Sequence, residues 1–361
     1  MTDVAAALPR FVFCVCQQGA ENACKREVLS RHPFLAFAFS RPGFLTFKVA
    51  DSTDLPESYD LRLTFARTSG WSLGKMEHAD LGSVRTDLIE KIKSSAATCV
   101  HVWQRDVAFP GDGGFEPGTS ELARSIAEEI RLQLAQSAVG DVALTPTIRV
   151  NQIADHGERV FDVAIVEPDS WWLGWHMAYS VPRCWPGGTP LMELAKPVVS
   201  RAYWKMSEAI AWSRLPIAAG QWCVEIGAAP GGACQFLLEN GLHVIAVDPA
   251  EMDESVKSHP NLIHLLCRSR EVRRVLLKDC KWLFADLNVA PNYTLDAVQD
   301  IVGSSKLRFQ GLLLTLKMMN WELADDIPTF ISRVREWGFE SVHARQLAYN
   351  RREICVMALR S

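Results

Sequence analysis

Over the first fifty residues apolar and polar positions alternate in short blocks. FVFCVC (11–16) reads as a strand and ENACKREVLSRH (21–32) as an amphipathic helix, and FLAFAF and FLTFKV then flank Ser-Arg-Pro-Gly, a hairpin signal. Strand, helix, strand, strand predicts a small α+β unit. A second unit follows: VHVWQRD as a strand, the turn-rich loop FPGDGGFEPG (109–118), a helix at 119–137, and strands near 146–150 and 160–166. EPDSWWLGWHMAYSVPRCWPGG (167–188) reads as a domain junction near residue 181, because of its Pro and Gly residues. Its tryptophans suit stacking on exposed bases or packing of the junction, and packing is the preferred reading.

From about residue 200 the pattern changes. WCVEIGA, HVIAVD, NLIHLL, KWLFADL and GLLLTLK are apolar strands, most of them separated by helical stretches. That alternation predicts a parallel sheet covered by helices on both faces. The chain then closes with FESVHARQL and EICVMAL, joined by what reads as a short polar turn, AYNRR, and so forming an antiparallel hairpin.

At 361 residues and 48% hydrophobic, the chain is long enough for two or three domains. No run approaches the roughly 18 apolar residues of a membrane span, so no membrane partner is expected. MTDVAAALPRFVFCVC has no basic segment followed by a long apolar one, and no signal peptide is expected. Ten cysteines occur without CxxC or zinc-type Cys/His spacing, which predicts a reducing cytoplasm and no metal site. A net charge of −4 argues against a globally basic nucleic-acid binder but leaves room for a local basic patch.

The most informative stretch is CVEIGAAPGGACQF (223–236). Gly227 follows a strand directly, and Gly231 and Gly232 open a helix, a context in which backbone can approach a ligand closely. The loop lacks GxGxxG and Gly-Lys-Ser/Thr, and Pro230 removes a donor that phosphate would use. Glu225 at the strand end suits a cationic ligand. Asp248 ends the next strand at the offset where a carboxylate accepts ribose hydroxyls. S-adenosylmethionine, with its sulfonium and α-ammonium, fits this pattern better than a nicotinamide dinucleotide.

Ionisable residues also stand at strand ends where a sheet should be apolar. Asp286 ends KWLFAD, Lys317 ends GLLLTLK, and Glu353 begins the antiparallel EICVMAL. All three therefore face the crevice at the carboxyl ends of the parallel strands. Lys205, on the helix of SRAYWKMSEAI, is placed to lean over the same crevice. Arg345, Arg351 and Arg352 flank this edge and are candidate RNA-phosphate contacts. The run CRSREVRRVLLKDCK (267–281), with six basic and two acidic residues, reads equally well as a second basic surface or as a solvated face.

Lys205–Asp286–Lys317–Glu353 resembles the Lys-Asp-Lys-Glu tetrad of FtsJ-like ribose 2′-O-methyltransferases, and EIGAAPGG resembles that family's cofactor loop. VHVWQRD, VEPDSWWLG, SRAYWKMSEA and ARQLAYNRREICV extend the similarity to its RlmM-like branch. The resemblance implies a ferredoxin-like domain over 1–72, a THUMP-like RNA-binding domain over 73–180, and a Rossmann-like methyltransferase domain with a terminal antiparallel hairpin over 181–361. It further implies S-adenosylmethionine bound by Glu225, Gly227, Ala228, Pro230, Gly231, Gly232, Asp248, Ser269 and Asp286. The implied reaction is 2′-O-methylation of a ribose, a cytidine, in bacterial large-subunit 23S ribosomal RNA, by a cytoplasmic monomer. Lys317 is the expected base, with burial and the neighbouring cation Lys205 favouring its neutral form. Two departures stand out: Glu225 replaces the usual Asp, and Ser269 in LLCRSREV falls where the family tends to carry an Asp that reads the adenine amine. The alternatives are an RNA-binding or assembly protein with an inactive methyltransferase domain and, further off, a nicotinamide-dependent oxidoreductase.

Overall fold

The computed structural model describes residues 8–77, 86–138, 148–192 and 196–360. The chain divides into two compact units, residues 1–192 and 193–361.

The first unit is built on one eight-stranded sheet. Its elements are β1 (Phe11–Val15), α1 (Glu21–Arg31), β2 (Leu35–Arg41), β3 (Phe44–Val49), β4 (Thr68–Glu77), α2 (Thr86–Ser94), β5 (Cys99–Gln104), α3 (Glu121–Ala138), β6 (Arg149–Val150), β7 (Arg159–Glu167) and β8 (Ser170–Met177). The strand order is β2-β3-β1-β4-β8-β7-β5-β6. Among the described residues the segment between β3 and β4 holds turns and no helix.

The expected boundary at 72/73 falls inside β4, which pairs with β1 on one side and β8 on the other. The two expected N-terminal regions thus share a continuous sheet. The reason is legible at two glycines: the Phe13 ring of β1 lies flat over Gly70 of β4 and Gly174 of β8, 2.8 Å from where a Cβ would stand at either. Any larger residue there would push the seam apart.

The segment read as a junction contains a full strand. β8 forms a hairpin with β7 across Pro168 and Asp169, with Glu167 opposite Ser170. Proline stands before it and proline and glycine after it, while inside the strand only Gly174 interrupts a run of bulky side chains buried along most of its length. Packing explains the tryptophans: Trp171, Trp175 and Trp185 are buried, and Trp171 Nε1 donates to Pro168 O at 3.1 Å. The division between the units comes after Met192 rather than at 180/181. Of the strand expected near 146–150, residues 146 and 147 lie outside the described residues and β6 covers the rest.

The second unit follows the expected alternation: α4 (Ala202–Ser213), β9 (Trp222–Ile226), α5 (Gly232–Glu239), β10 (His243–Val247), α6 (Glu254–Lys257), β11 (Leu262–Leu265), β12 (Cys280–Ala285), α7 (Pro291–Val302), β13 (Gly311–Lys317), α8 (Ile327–Glu336), β14 (Ser341–Arg345) and β15 (Glu353–Leu359). The order β11-β10-β9-β12-β13-β15-β14 is a Rossmann-like α/β sheet in which only β15 runs against the others. From β9 the chain winds first toward β11 and then, from β12, the opposite way. Such a reversal opens a crevice at the carboxyl ends of β9 and β12. The strands are nearly all apolar because both faces are covered, as a parallel sheet requires.

Gly174→Ala should destabilise the first unit by about 1–3 kcal/mol, the cost of forcing a methyl into a filled site. A thermal melt checks it, and an unchanged midpoint would mean that the seam yields without cost.

Candidate active site

The four expected residues meet at the carboxyl edge of the second unit's sheet. Lys317 closes β13, and its backbone partner across the ladder is Glu353, the first residue of antiparallel β15. Residues directly opposite share a face, so the two side chains start as neighbours. Asp286 follows β12, the other neighbour of β13, and Lys205 reaches in from the first turn of α4.

The result is a closed ring in which cations and anions alternate. Lys205 Nζ donates to Asp286 Oδ2 at 2.7 Å and to Glu353 Oε1 at 2.9 Å. Lys317 Nζ donates to Glu353 Oε2, and it lies 2.9 Å from Asp286 Oδ1 without the alignment of a hydrogen bond. Side-chain exposure is 12% for Lys205 and 20% for Lys317, so Lys317 is both the more open and the less fully bonded lysine.

Burial opposes charge on Lys205, but the Asp286 and Glu353 carboxylates outweigh it and hold the ammonium well above its usual range. Burial likewise pushes the Glu353 carboxyl up, and Lys205 and Lys317 overcome that and hold it down at about 2. Removing one member of such a set leaves an uncompensated buried charge, which typically costs 3–5 kcal/mol.

Several residues outside the expected set position this ring. Glu208, one turn along α4 from Lys205, is buried and accepts from Ala348 N–H at 2.8 Å and Tyr349 N–H at 2.9 Å. The AYNRR segment is therefore only half a polar turn: Ala348, Tyr349 and Asn350 are buried, Tyr349 beside Trp204, and Arg351 and Arg352 are exposed. Asn350 Oδ1 accepts from Leu347 N–H at 3.0 Å, which tightens the turn that delivers Glu353. The available signal was an acid three residues after Lys205 on an otherwise apolar helix.

Next to the ring lies the glycine loop. Gly227 (φ +81°) and Gly231 (φ +117°) adopt left-handed backbone that favours glycine. The glycines are also required by the protein itself: a Cβ on Gly227 would stand 2.6 Å from Asp286 O, and one on Gly231 2.9 Å from Met252 Cε. Gly232, likewise, packs against Ser200. Ala228 is buried beneath the loop, and the Ala229–Pro230 peptide is cis. Asp248, just past β10, ties the loop down by accepting from Ala229 N–H (3.1 Å) and Ala250 N–H (2.8 Å), leaving lone pairs on each oxygen. Ser269 stands in a short helical turn beyond β11, the sheet's edge strand, and Arg345 ends β14 at the other edge.

Glu225 departs most from expectation. It is 2% exposed, and Cys234 Sγ lies 3.4 Å from its Oε2. Burial drives its carboxyl up to about 8; the Cys234 bond and Lys205 pull it down, while Asp286 and Asp248 push it further up. Asp286 and Asp248 add to burial in opposing charge on Glu225, and Lys205 answers them only in part, an environment that suits a ligand bearing positive charge.

Residues 198–333 match the model of the FtsJ-like methyltransferase family. A "Ribosomal RNA large subunit methyltransferase M" from Alkalilimnicola ehrlichii is 31% identical over 189 residues, 49% of this chain and 50% of that protein. A protein of the same name from Xanthomonas euvesicatoria pv. vesicatoria is 24% identical over 96% of this chain and 98% of its own length. No described helix is long and apolar enough to cross a membrane.

The neutral Glu225 carboxyl makes a prediction with a definite sign. Its folded pKa lies above the unfolded one, so the stability it contributes is full below about pH 4.5 and is lost as pH rises toward 8. Glu225→Gln removes that loss. The variant should gain on the wild type between pH 5 and 8, by on the order of 3 kcal/mol at pH 7. Melting curves at several pH values read it, and parallel curves would mean that Glu225 is already ionised.

Proposed function

Residues 198–333 of this chain match the FtsJ-like methyltransferase family, and from that premise we propose that the protein transfers a methyl group from S-adenosylmethionine to a ribose 2′-hydroxyl of large-subunit ribosomal RNA. The observation that supports this reading best is the ring Lys205–Asp286–Lys317–Glu353 at the carboxyl edge of the sheet, beside the glycine loop.

The cofactor fits the residues present. Asp248 has oxygens to spare for two ribose hydroxyls, and the buried Glu225 carboxyl, under the influence of Asp248 and Asp286, favours a cation bound at the loop. S-adenosylmethionine supplies, when bound, an electrophilic methyl on a positively charged sulfur. Gly227, Ala228, Pro230, Gly231 and Gly232 shape the loop that holds it, and Ser269 stands on the side expected for adenine.

A ribose hydroxyl is a poor nucleophile and needs a base and precise positioning. Of the two lysines, Lys205 is locked as a cation by two aligned carboxylates, which disqualifies it. Lys317 is the base: it takes the hydroxyl proton as the O–CH3 bond forms and the bond from carbon to sulfur breaks. With Lys317 neutral and Lys205 charged, the ring carries one net negative charge, which the cofactor's positive charge balances. Asp286 and Glu353 hold both amines in place. Arg351 and Arg352, exposed beside Glu353, and Arg345 on the same edge supply phosphate contacts that weaken with salt. The eight-stranded unit, THUMP-like by the resemblance of its sequence, is the part proposed to recognise RNA by shape, and the proposed target is a cytidine.

The test is transfer of labelled methyl to deproteinised large-subunit rRNA. Label should appear in an alkali-resistant dinucleotide, the mark of ribose methylation. Lys317→Ala should lower kcat by about 100-fold or more, the range for losing a general base, with the cofactor Kd within about threefold. Label on a base, or equal loss of cofactor affinity, would overturn the assignment.

A further inference from the structure

The segments that follow two members of the ring carry apolar side chains left in solvent. After Asp286 the chain runs through Val289, 38% exposed, into α7, where Tyr293 is 69% exposed; after Lys317 comes Met319, 64% exposed. Tyr293 and Met319 are the most exposed of the large hydrophobic side chains among the described residues. Neither position is accidental. α7 buries Pro291, Thr294, Leu295 and Val298, which sets Tyr293 on the outer side of its first turn, and that turn begins at the carboxyl edge where β12 ends. Met318 is fully buried and its N–H bonds Arg352 O at 2.7 Å, while Met319 N–H turns back to Lys317 O at 3.1 Å. This tight turn directs the next side chain outward beside the ring. The Met318 bond holds this turn against the backbone of Arg352, which is exposed like its neighbour Arg351.

The rim around the ring is therefore ordered. An aromatic and aliphatic side follows β12 and β13, and a cationic side precedes β15. Adjacent strands are about 4.8 Å apart, so β12 and β15, on either side of β13, lie about 10 Å apart. A nucleotide presents the same order, with base and phosphate on opposite sides of its ribose.

We propose that Tyr293 is a stacking platform for the nucleobase of the methylated nucleotide, with Met319 and Val289 closing its apolar edge. The proposal rests on the ribose-methylation reading and deepens it. An extended RNA strand offers each base a π-face, and an aromatic ring binds it with little regard to sequence. The platform therefore contributes affinity and ribose placement rather than base identity. Tyr293 is a positioning residue: the ring on the ribose does the chemistry, and the stacked base keeps the 2′-hydroxyl over Lys317.

The experiment compares Tyr293→Ala, Tyr293→Phe and Met319→Ala in methyl transfer to large-subunit rRNA, with RNA concentration varied. Tyr293→Ala should raise the KM for RNA by about tenfold or more, the scale of one lost base–aromatic stack. The melting temperature and S-adenosylmethionine Kd should stay unchanged. Tyr293→Phe should keep activity within about twofold, since stacking needs the ring and not the hydroxyl. Met319→Ala should shift KM in the same direction by less. Wild-type kcat/KM in Tyr293→Ala would overturn the platform, as would equal impairment of the Ala and Phe variants. If the wild-type protein places no label on ribose, it is the methylation reading that fails.

Discussion

Four charges at one edge of a hydrophobic sheet are tolerable only together. Each carboxylate of the ring lies between two ammonium groups and each ammonium between two carboxylates, so no member is buried without compensation on both sides. That requirement fixes much of the second unit. Lys317 and Glu353 must be directly opposed in the β13–β15 ladder, and a slip of one residue would send Glu353 to the other face. α4 must lie across the edge with its first turn over Asp286, and Glu208 on the next turn clamps the loop that returns as β15. Local strand order, the odd antiparallel strand and one helix crossing are all consequences of keeping the ring closed.

The same ledger of charge extends to the glycine loop. Asp248 is spent partly on the loop's own N–H groups, and Gly227 lets β9 and β12 close to van der Waals distance at the switch point. Glu225 is left behind them in buried surroundings that push its carboxyl up to about 8. An acid in that state is not a weakness of the site: it accepts charge only when a cation arrives to justify it, so the binding of a positively charged ligand and the ionisation of Glu225 are linked.

What the sequence made legible follows from what periodicity encodes. Parallel strands covered on both faces are continuous apolar runs ending abruptly in a polar residue, so β9, β10, β12 and β13 and the ionisable residues after them stand out. The hairpin β14–β15 was equally plain, and with it the placement of Glu353. Tertiary pairing was not legible. Nothing local in Thr68–Glu77 announces that one strand serves two neighbours across an expected boundary, and the Pro and Gly residues around β8 outweighed its run of bulky apolar side chains. The inward half of AYNRR was hidden for the same reason: Tyr349 and Asn350 look like turn residues until Glu208 and Trp204, far away in sequence, are brought against them. Composition reports what a segment prefers alone, whereas burial is decided by what packs on it.

Burial alone also separates two kinds of aromatic residue that the sequence presents alike. Trp171, Trp175 and Trp185 sit in a Pro/Gly-rich stretch that invites a role in stacking on bases, yet each is enclosed by the sheet it stabilises. Tyr293 sits in an ordinary amphipathic helix that invites no such role, yet it is left uncovered on the first turn after the strand that delivers Asp286. A protein exposes a large ring at the cost of unburied apolar surface, and a helix with a complete apolar face, as α7 has in Leu295, Val298 and Ile301, gains nothing structural from one more. An uncovered aromatic on the first turn of the helix that follows Asp286 is accounted for by a ligand that covers it, and under the proposed ribose methylation the base of the target nucleotide is that ligand.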